Sequence, residues 1–237
     1  MSVRDDGYAV LPQFLSSAEV RVARADVERI LRAPAGPSCE RAHNTLVPLR
    51  WDTPLVRRVL DRRAARVAEA AGGDDLRWIS GYVSVKDPHS EPLDWHQDWW
   101  CWDHPVSLRP DPAQVALLVY LTDTSERNAA LRVRPGSHRG DPRPARTLPL
   151  RAGDAALIDY RLEHGTHANL TPDRRDCLIL NFAPAWRALP EDIRGHLIQH
   201  PALPRHDEPA HALPWLPRYD GPRVDLPLKR TPRAPAL

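Results

Sequence analysis

The sequence predicts a mainly β domain with helices packed on one face, and three features of the chain indicate this fold class. The two segments with apolar residues at helical spacing both precede Gly73. After Gly73, short runs rich in Val, Ile, Leu, Trp and Tyr alternate with turn-forming clusters, as in an antiparallel sandwich or barrel. The length of 237 residues suits one such domain. Helices first and strands later therefore predict an all-β core with helical support.

The chain begins with a predicted edge strand followed by a helix. Residues 7–15 are a short apolar segment that Pro12 interrupts, which favours an edge strand and a turn. Ser16 then precedes Glu19 at the spacing of a capping box. Apolar residues recur at helical spacing beyond this point, so we expect a helix from about 17 to 33.

A second helix is predicted from about 54 to 70. Thr53 can cap its start, and Pro54 suits the first helical position because that position needs no backbone donor. Gly72 follows the last turn, where a left-handed residue commonly ends a helix. Residues 1–73 are thus interpreted as helical N-terminal support.

Residues 74–183 are predicted to form the β core, and residues 184–237 a Pro- and Arg-rich lid or tail. Trp186 and Trp215 are expected to anchor this last segment, which is either ordered over the sheet or partly disordered. The predicted strands of the core are 77–86, 115–121, 131–134, 155–160 and 177–182.

Composition and charge argue against several kinds of protein. The net charge is +2, and Arg residues are interleaved with Asp and Glu, so we expect no nucleic-acid partner. We also expect no membrane partner, because no apolar run approaches the length of a membrane span. The start of the chain lacks the pattern of a secretory signal. Three cysteines far apart, Cys39, Cys101 and Cys177, form neither a disulfide framework nor a metal motif. A cytoplasmic location follows as an expectation.

The strongest chemical signal is the pair His96 and Asp98. Side chains two apart on a strand point to the same face, so both would aim at one point, with Gln97 on the other face unless the strand ends there. An imidazole and a carboxylate are two of the three ligands in a 2-His-1-carboxylate triad, the site of non-haem Fe(II) oxygenases. An HxD motif alone is weak evidence, because it also occurs by chance.

A third ligand has to come from far along the chain. Arg175 lies 11 residues after His164, where a neighbouring strand could return it to the same cavity. A guanidinium there would pair bidentately with a carboxylate, and Arg174 is the alternative donor. The candidate third ligands are His104, His138, His164 and His167.

Six pieces of the chain, in order, resemble the phytanoyl-CoA dioxygenase family, a branch of the Fe(II)/2-oxoglutarate oxygenases. They include the metal motif Trp95-His96-Gln97-Asp98 and a turn that contains Pro135-Gly136-Ser137-His138. One departure is Ala129, which stands where the family usually has Gly. The six pieces are residues 6–16, 85–88, 95–98, 128–139, 152–155 and 164–175.

The resemblance implies a double-stranded β-helix, or jelly roll, with the N-terminal helices on one sheet. It also implies Fe(II), 2-oxoglutarate as co-substrate and O2. The residues that match metal ligands are His96, Asp98 and His164, and those that match co-substrate contacts are Arg175, Thr166 and, less closely, Lys86 and Gln97.

The substrate is expected to be a small polar molecule, oxidised in bacterial secondary metabolism. Hydroxylation is the default outcome, while oxidative cyclisation, desaturation and epimerisation use the same ligands. Trp102 and His167 are candidate substrate residues, with ordinary packing as the alternative for Trp102. Two other readings stay open: a jelly-roll metalloenzyme without 2-oxoglutarate, and a non-catalytic binding module. The sequence leaves monomer or dimer undecided.

Overall fold

Eleven strands and four α-helices make up the part of the chain that the computed structural model describes, namely residues 2–33, 39–41, 44–208 and 213–229. Three short 3-10 helices, Pro105–Leu108, Ser137–Arg139 and Trp186–Ala188, connect some of them. The elements in chain order are α1 (Val3–Asp6), β1 (Tyr8–Leu11), α2 (Ser17–Arg32), β2 (Cys39–Arg41), β3 (Asn44–Leu49), α3 (Pro54–Ala71), β4 (Arg77–Lys86), β5 (Leu93–His96), β6 (Val115–Tyr120), β7 (Leu131–Val133), β8 (Arg146–Leu148), β9 (Ala155–Asp159), β10 (His164–Thr166), β11 (Arg175–Ala183) and α4 (Glu191–Leu197).

The strands form two antiparallel sheets. The larger sheet has seven strands in the order β1-β9-β6-β11-β4-β3-β2, and the smaller has four in the order β5-β10-β7-β8. Strands far apart in sequence are neighbours in both sheets, as a jelly roll requires.

The central strands of the larger sheet are buried on both faces. In β6, Leu117 belongs to a cluster that includes Val20 of α2 and Leu55 of α3, so this face carries the helices. Its neighbour Leu118 belongs to a second cluster together with Leu131 of the smaller sheet. Because both faces are covered, β6 is a continuous apolar run rather than an alternating one.

Both predicted helices are confirmed. The helix α2 begins with a full capping box, in which Ser16 and Glu19 bond each other's backbone. The helix α3 has Pro54 in its first turn and ends at Gly72 in the left-handed conformation. Thr53 occupies the N-cap position but makes no side-chain capping bond.

The expectation that residues 1–73 provide helices and the following residues the strands requires correction. The strands β1, β2 and β3 precede residue 73 and pair into the larger sheet. The first lies at one edge, as expected for residues 7–15, and pairs with β9. The other two extend the sheet beyond β4. The strand β2 has three residues and pairs with β3, and β3 pairs with β4, so pairing determines them more than local pattern does.

The described C-terminal residues pack onto the domain. Trp186 and Trp215 are both buried, and α4 contributes Ile193 and Leu197 to a third cluster with Trp99 and Trp100. Among the described residues, none of the helices is long and apolar enough to cross a membrane.

Candidate active site

A cavity of about 600 Å³ lies between the two sheets. Every second residue of β11 lines it, from Arg175 through Cys177 and Ile179 to Asn181. At about 3.4 Å per residue, the two ends of this row are roughly 20 Å apart. The strands β5, β7 and β10 of the smaller sheet line the opposite side. A cavity of this size can hold a drug-sized ligand.

His96, Asp98 and His164 come together in this cavity. His96 ends β5 and His164 begins β10, and the two residues are partners in the antiparallel register. A carboxylate oxygen of Asp98 lies 3.7 Å from Nε2 of His96, and the other lies 3.5 Å from Nε2 of His164. One potential ligand atom from each residue lies within 4.8 Å of the others. Two imidazoles and one carboxylate are the donor set that suits Fe(II) with open coordination positions.

Both histidines are oriented by backbone carbonyls. Nδ1 of His96 lies 2.8 Å from the carbonyl oxygen of Asp94, and Nδ1 of His164 lies 3.0 Å from that of Leu162. Because a carbonyl oxygen only accepts, Nδ1 carries the proton in these bonds and the Nε2 lone pair remains for a metal. The backbone thus sets the tautomer that ligation needs.

The geometry of the HxD motif differs from the simple strand alternation. The strand β5 ends at His96, so Asp98 reaches the cluster from the segment that follows the strand. Gln97 also lines the cavity, and its side-chain amide donates to the carbonyl oxygen of Arg161. The end of the strand therefore places three consecutive residues at the cavity wall.

The structure separates the two adjacent arginines. Arg174 pairs with Asp176 and Glu28. Arg175 is buried, lines the cavity and lies over the ring of Tyr120. Within the described residues, Arg175 has no carboxylate at ion-pair distance, and its Nε has no hydrogen-bond partner. A buried guanidinium without a carboxylate partner favours an anion in the cavity.

Lys86 lies beside Arg175 in the larger sheet, and Thr166 lines the cavity from the smaller sheet. Lys86 is the register partner of Arg175 and is fully buried, and its ammonium donates to the carbonyl oxygen of Glu91. Burial, and then the charge of Arg175, lower the pKa of Lys86 to about 8. Thr166 lines the cavity and accepts a 3.4 Å hydrogen bond from the backbone of Leu93. The Arg175 end of the cavity is therefore positively charged.

The metal-ligand cluster lies beside Tyr160. Tyr160 lines the cavity. Burial raises the pKa of its hydroxyl, and the nearby Asp98 and Tyr82 raise this pKa further. Tyr82 is in turn the register partner of Ile179, midway along the inward row of β11. Asp98 is thus close to Tyr160 in the cavity wall, while Arg175 and Asn181 mark the two ends of the inward row of β11.

Both predicted substrate residues require correction. Trp102 packs against the third cluster and is not among the cavity-lining residues of the described chain. His167 follows the inward-facing Thr166 and so points away, and its Nε2 lies 2.9 Å from Thr147 Oγ1. Trp100 lines the cavity instead.

The other candidate ligands serve the local structure. His104 caps a 3-10 helix by accepting from the backbone of Val106, and it pairs with Asp192. His138 is buried in its turn with Nε2 3.0 Å from the carbonyl oxygen of Arg4. Ala129 has φ +49°, a left-handed conformation that explains why glycine is usual at this position in the family that the sequence resembles.

Several cavity residues were not identified from the sequence. Asn181 continues the two-residue alternation from Arg175, so the predicted strand contained a signal for it. Ser80 and Gln114 are buried polar residues on the wall, and they carried no motif. His196 and His200 come from the C-terminal segment, whose position over the cavity depends on tertiary packing.

Comparison with known proteins gives a consistent picture. A family model described as phytanoyl-CoA dioxygenase matches residues 3–177. The probable alpha-ketoglutarate-dependent hypophosphite dioxygenase of Stutzerimonas stutzeri is 25% identical over 222 residues, which cover 76% of each chain.

Two solved structures have the same fold. The epimerase SnoN in complex with Fe3+, alpha ketoglutarate and nogalamycin RO superposes with a TM-score of 0.60 at 24% identity, covering 76% of this chain and 80% of SnoN. EctD from S. alaskensis with 2-oxoglutarate and 5-hydroxyectoine gives a TM-score of 0.64 at 22% identity, covering 78% of this chain and 74% of EctD. The expected jelly-roll fold is thereby confirmed.

Proposed function

Because the chain belongs to the phytanoyl-CoA dioxygenase family, we propose that it is an Fe(II)- and 2-oxoglutarate-dependent oxygenase of a small polar molecule. The observation that carries this proposal is the cluster of His96, Asp98 and His164 in one cavity with the buried Arg175. The curated relative is described as alpha-ketoglutarate-dependent, and SnoN and EctD each hold the co-substrate.

His96, Asp98 and His164 would hold the metal. Their donor atoms lie within 4.8 Å of one another, and hydrogen bonds from Nδ1 to backbone carbonyls would make Nε2 the ligand atom of both histidines. The carbonyl oxygens of Asp94 and Leu162 keep the rings in this orientation, as outer-shell partners of metal-bound histidines do.

Arg175 would hold the distal carboxylate of 2-oxoglutarate. A guanidinium presents two parallel donors to a carboxylate, and burial strengthens the pair. Thr166 would add a hydroxyl donor, and Lys86 a second positive charge beside Arg175. Gln97 lines the cavity next to the ligands and would contact the co-substrate or the substrate.

When bound, iron would activate O2, which is the oxidant: 2-oxoglutarate would give two electrons as it becomes succinate and CO2, and the substrate would give the other two. The protein's own residues would bind and orient the metal, the co-substrate and the substrate, and would exclude water from the cavity. Leu197 and Leu228 of the C-terminal segment lie at the cavity, as a lid would. Hydroxylation is the proposed default, and cyclisation, desaturation or epimerisation would need the same ligands.

Free Cys101 and Cys177 favour a reducing compartment such as the cytoplasm.

Two alternatives differ in what they require. A metalloenzyme without 2-oxoglutarate would not need a buried arginine in the cavity, and a binding module would not need all three ligands. Arg175 and the intact cluster therefore favour the oxygenase.

The proposal is tested by aerobic incubation with Fe(II) and 2-oxoglutarate labelled at the carboxylate lost as CO2. We expect labelled CO2 and succinate that depend on Fe(II). Asp98→Ala should reduce this release at least about a hundredfold, because a metal ligand is lost. Asp94→Ala is the matched control, since its exposed side chain lies on the same segment while its backbone carbonyl still orients His96. Equal release from the Asp98 variant and wild type would overturn the metal assignment.

A further inference from the structure

We infer that the half of the cavity beyond the metal-ligand cluster binds a hydroxyl-rich molecule without anionic groups, accepts an amine on it, and excludes phosphate and carboxylate groups. The inference rests on the proposed function, because it takes the Arg175 end to be filled by 2-oxoglutarate. It concerns the opposite end, around Asn181.

The length of the cavity leaves room for a substrate at this end. Arg175 and Asn181 stand at opposite ends of the inward row of β11, roughly 20 Å apart at the strand rise of about 3.4 Å per residue. Trp99, the neighbour of Asp98, donates its backbone N–H to the carbonyl oxygen of Tyr160, and the backbone N–H of Tyr160 donates to that of Gln114. Val115 is the register partner of Phe182, so Asp98 lies on the Gln114 and Asn181 side of the cavity. A short dicarboxylate that reaches from Arg175 to the metal therefore cannot fill the space around Asn181.

Three buried polar side chains face this space. Asn181 donates a 2.9 Å hydrogen bond to the hydroxyl of Ser80, and the two residues are 4% and 5% exposed. Gln114, 3% exposed, accepts a 2.6 Å hydrogen bond from the indole of Trp100. Within the described residues, the amide oxygen of Asn181 and the amide nitrogen of Gln114 make no further hydrogen bond. Buried polar groups of this kind need a partner.

These groups complement hydroxyls. The Asn181 oxygen accepts, the Gln114 nitrogen donates, and the Ser80 hydroxyl can donate while it accepts from Asn181. A hydroxyl of the ligand both donates and accepts, so it can satisfy any of the three. Ile79 and Leu197 provide apolar wall nearby, which suits the C–H faces of a ring.

The charges around this end disfavour anions. Among the described residues that line the cavity, Arg175 is the one lysine or arginine. Burial, and then the neighbouring His196, lower the pKa of His200 to about 4, so this imidazole is neutral at pH 7. The carboxylate of Asp225 lies at the cavity as well, which favours an amine. A phosphate placed here would lose its water without gaining a lysine or arginine partner.

Ligand binding tests the inference without turnover. The full chain, loaded with Zn(II) and 2-oxoglutarate, would be studied by saturation-transfer NMR with matched pairs: glucosamine and glucosamine 6-phosphate, and myo-inositol and its monophosphate. We expect millimolar binding of glucosamine and inositol, and at least tenfold weaker binding of both phosphates. Equal or tighter binding of the phosphates would overturn the inference, and so would the absence of binding by glucosamine and inositol at millimolar concentrations.

Variants link the result to the site. Ser80→Ala removes a neutral hydrogen bond and should weaken glucosamine binding about three- to tenfold, while Ser80→Thr keeps the hydroxyl and should restore it. Affinity for 2-oxoglutarate, measured in the same samples, should stay at the wild-type value in both variants. Loss of 2-oxoglutarate binding by the wild type would refute the proposed function, whereas intact 2-oxoglutarate binding with a preference for phosphates would refute this inference alone.

Discussion

Replacing Arg175 with methionine should abolish tight 2-oxoglutarate binding, while the same change at the adjacent Arg174 should not. Arg175 is buried in the cavity, and within the described residues no carboxylate pairs with it. Arg174 instead pairs with Asp176 and Glu28 on the other side of the strand. The two variants make the same chemical change one residue apart, so they separate the cavity from the surface.

The magnitude follows from the burial of the charge. Removing one partner of a buried ion pair costs about 3–5 kcal/mol, and the lower figure is more than a hundredfold in Kd. In the absence of 2-oxoglutarate, the substitution should instead raise the free energy of unfolding or leave it unchanged, because Arg175 is a desolvated cation and methionine is uncharged. The Arg175→Met protein should therefore melt at or above the wild-type temperature when no co-substrate is present.

Calorimetric titration and thermal melting together check this prediction. At a 2-oxoglutarate concentration of about 100 times Kd, the metal-loaded wild type should gain roughly 2.7 kcal/mol of stability, and Arg175→Met should gain almost none. Arg174→Met should retain the ligand-induced shift even if its baseline stability falls. If Arg174→Met lost the shift and Arg175→Met kept it, the assignment of the carboxylate-binding residue would be wrong.

Two further predictions concern charge and backbone. Because the pKa of Lys86 is lowered to about 8, its ammonium loses its proton as pH rises through that value, and affinity for the dianionic 2-oxoglutarate should fall above pH 8. Titrations from pH 7 to 9.5 should show this fall in the wild type and a flat, weaker profile in Lys86→Met; a fall in both would exclude Lys86 as its cause. Gly153 has φ +98°, and a Cβ there would lie 2.5 Å from the carbonyl oxygen of Leu15. Gly153→Ala should therefore lower the free energy of unfolding in urea by about 1–3 kcal/mol. An unchanged urea midpoint would show that the backbone at this position is not strained by a side chain.

Local sequence pattern was sufficient for much of the fold. The capping residues around Ser16 and the Pro54 start predicted α2 and α3 because those signals lie within one or two helical turns. Apolar runs predicted the central strands β4, β6 and β11 for the same reason. The strands β2 and β8 have three residues each, and β3 has no apolar run as continuous as that of β6, so their pairing with neighbouring strands defines them.

The active-site residues also differ in whether local sequence pattern or tertiary pairing determines their position. The spacing of two residues suggested that His96 and Asp98 point to the same metal site. The two residues do meet there, although the strand β5 ends at His96. The meeting of His96 with His164 depends on the register of β5 with β10, which the residues themselves do not reveal. The choice between Arg174 and Arg175 depends on which face of β11 is inward. For Trp102 the alternative of ordinary packing is the one that the structure shows, because its side chain packs against the third cluster.

The central claim is that one cavity binds iron and 2-oxoglutarate together. The most direct measurement is an anaerobic titration of 2-oxoglutarate into the Fe(II)-loaded protein, followed by the weak visible charge-transfer band of the chelate. We expect the band in the wild type, its loss in His164→Ala, and its appearance in Arg175→Met only at much higher 2-oxoglutarate concentration. A folded, iron-loaded wild type that gives no band would contradict the oxygenase assignment and favour a metalloenzyme of another class.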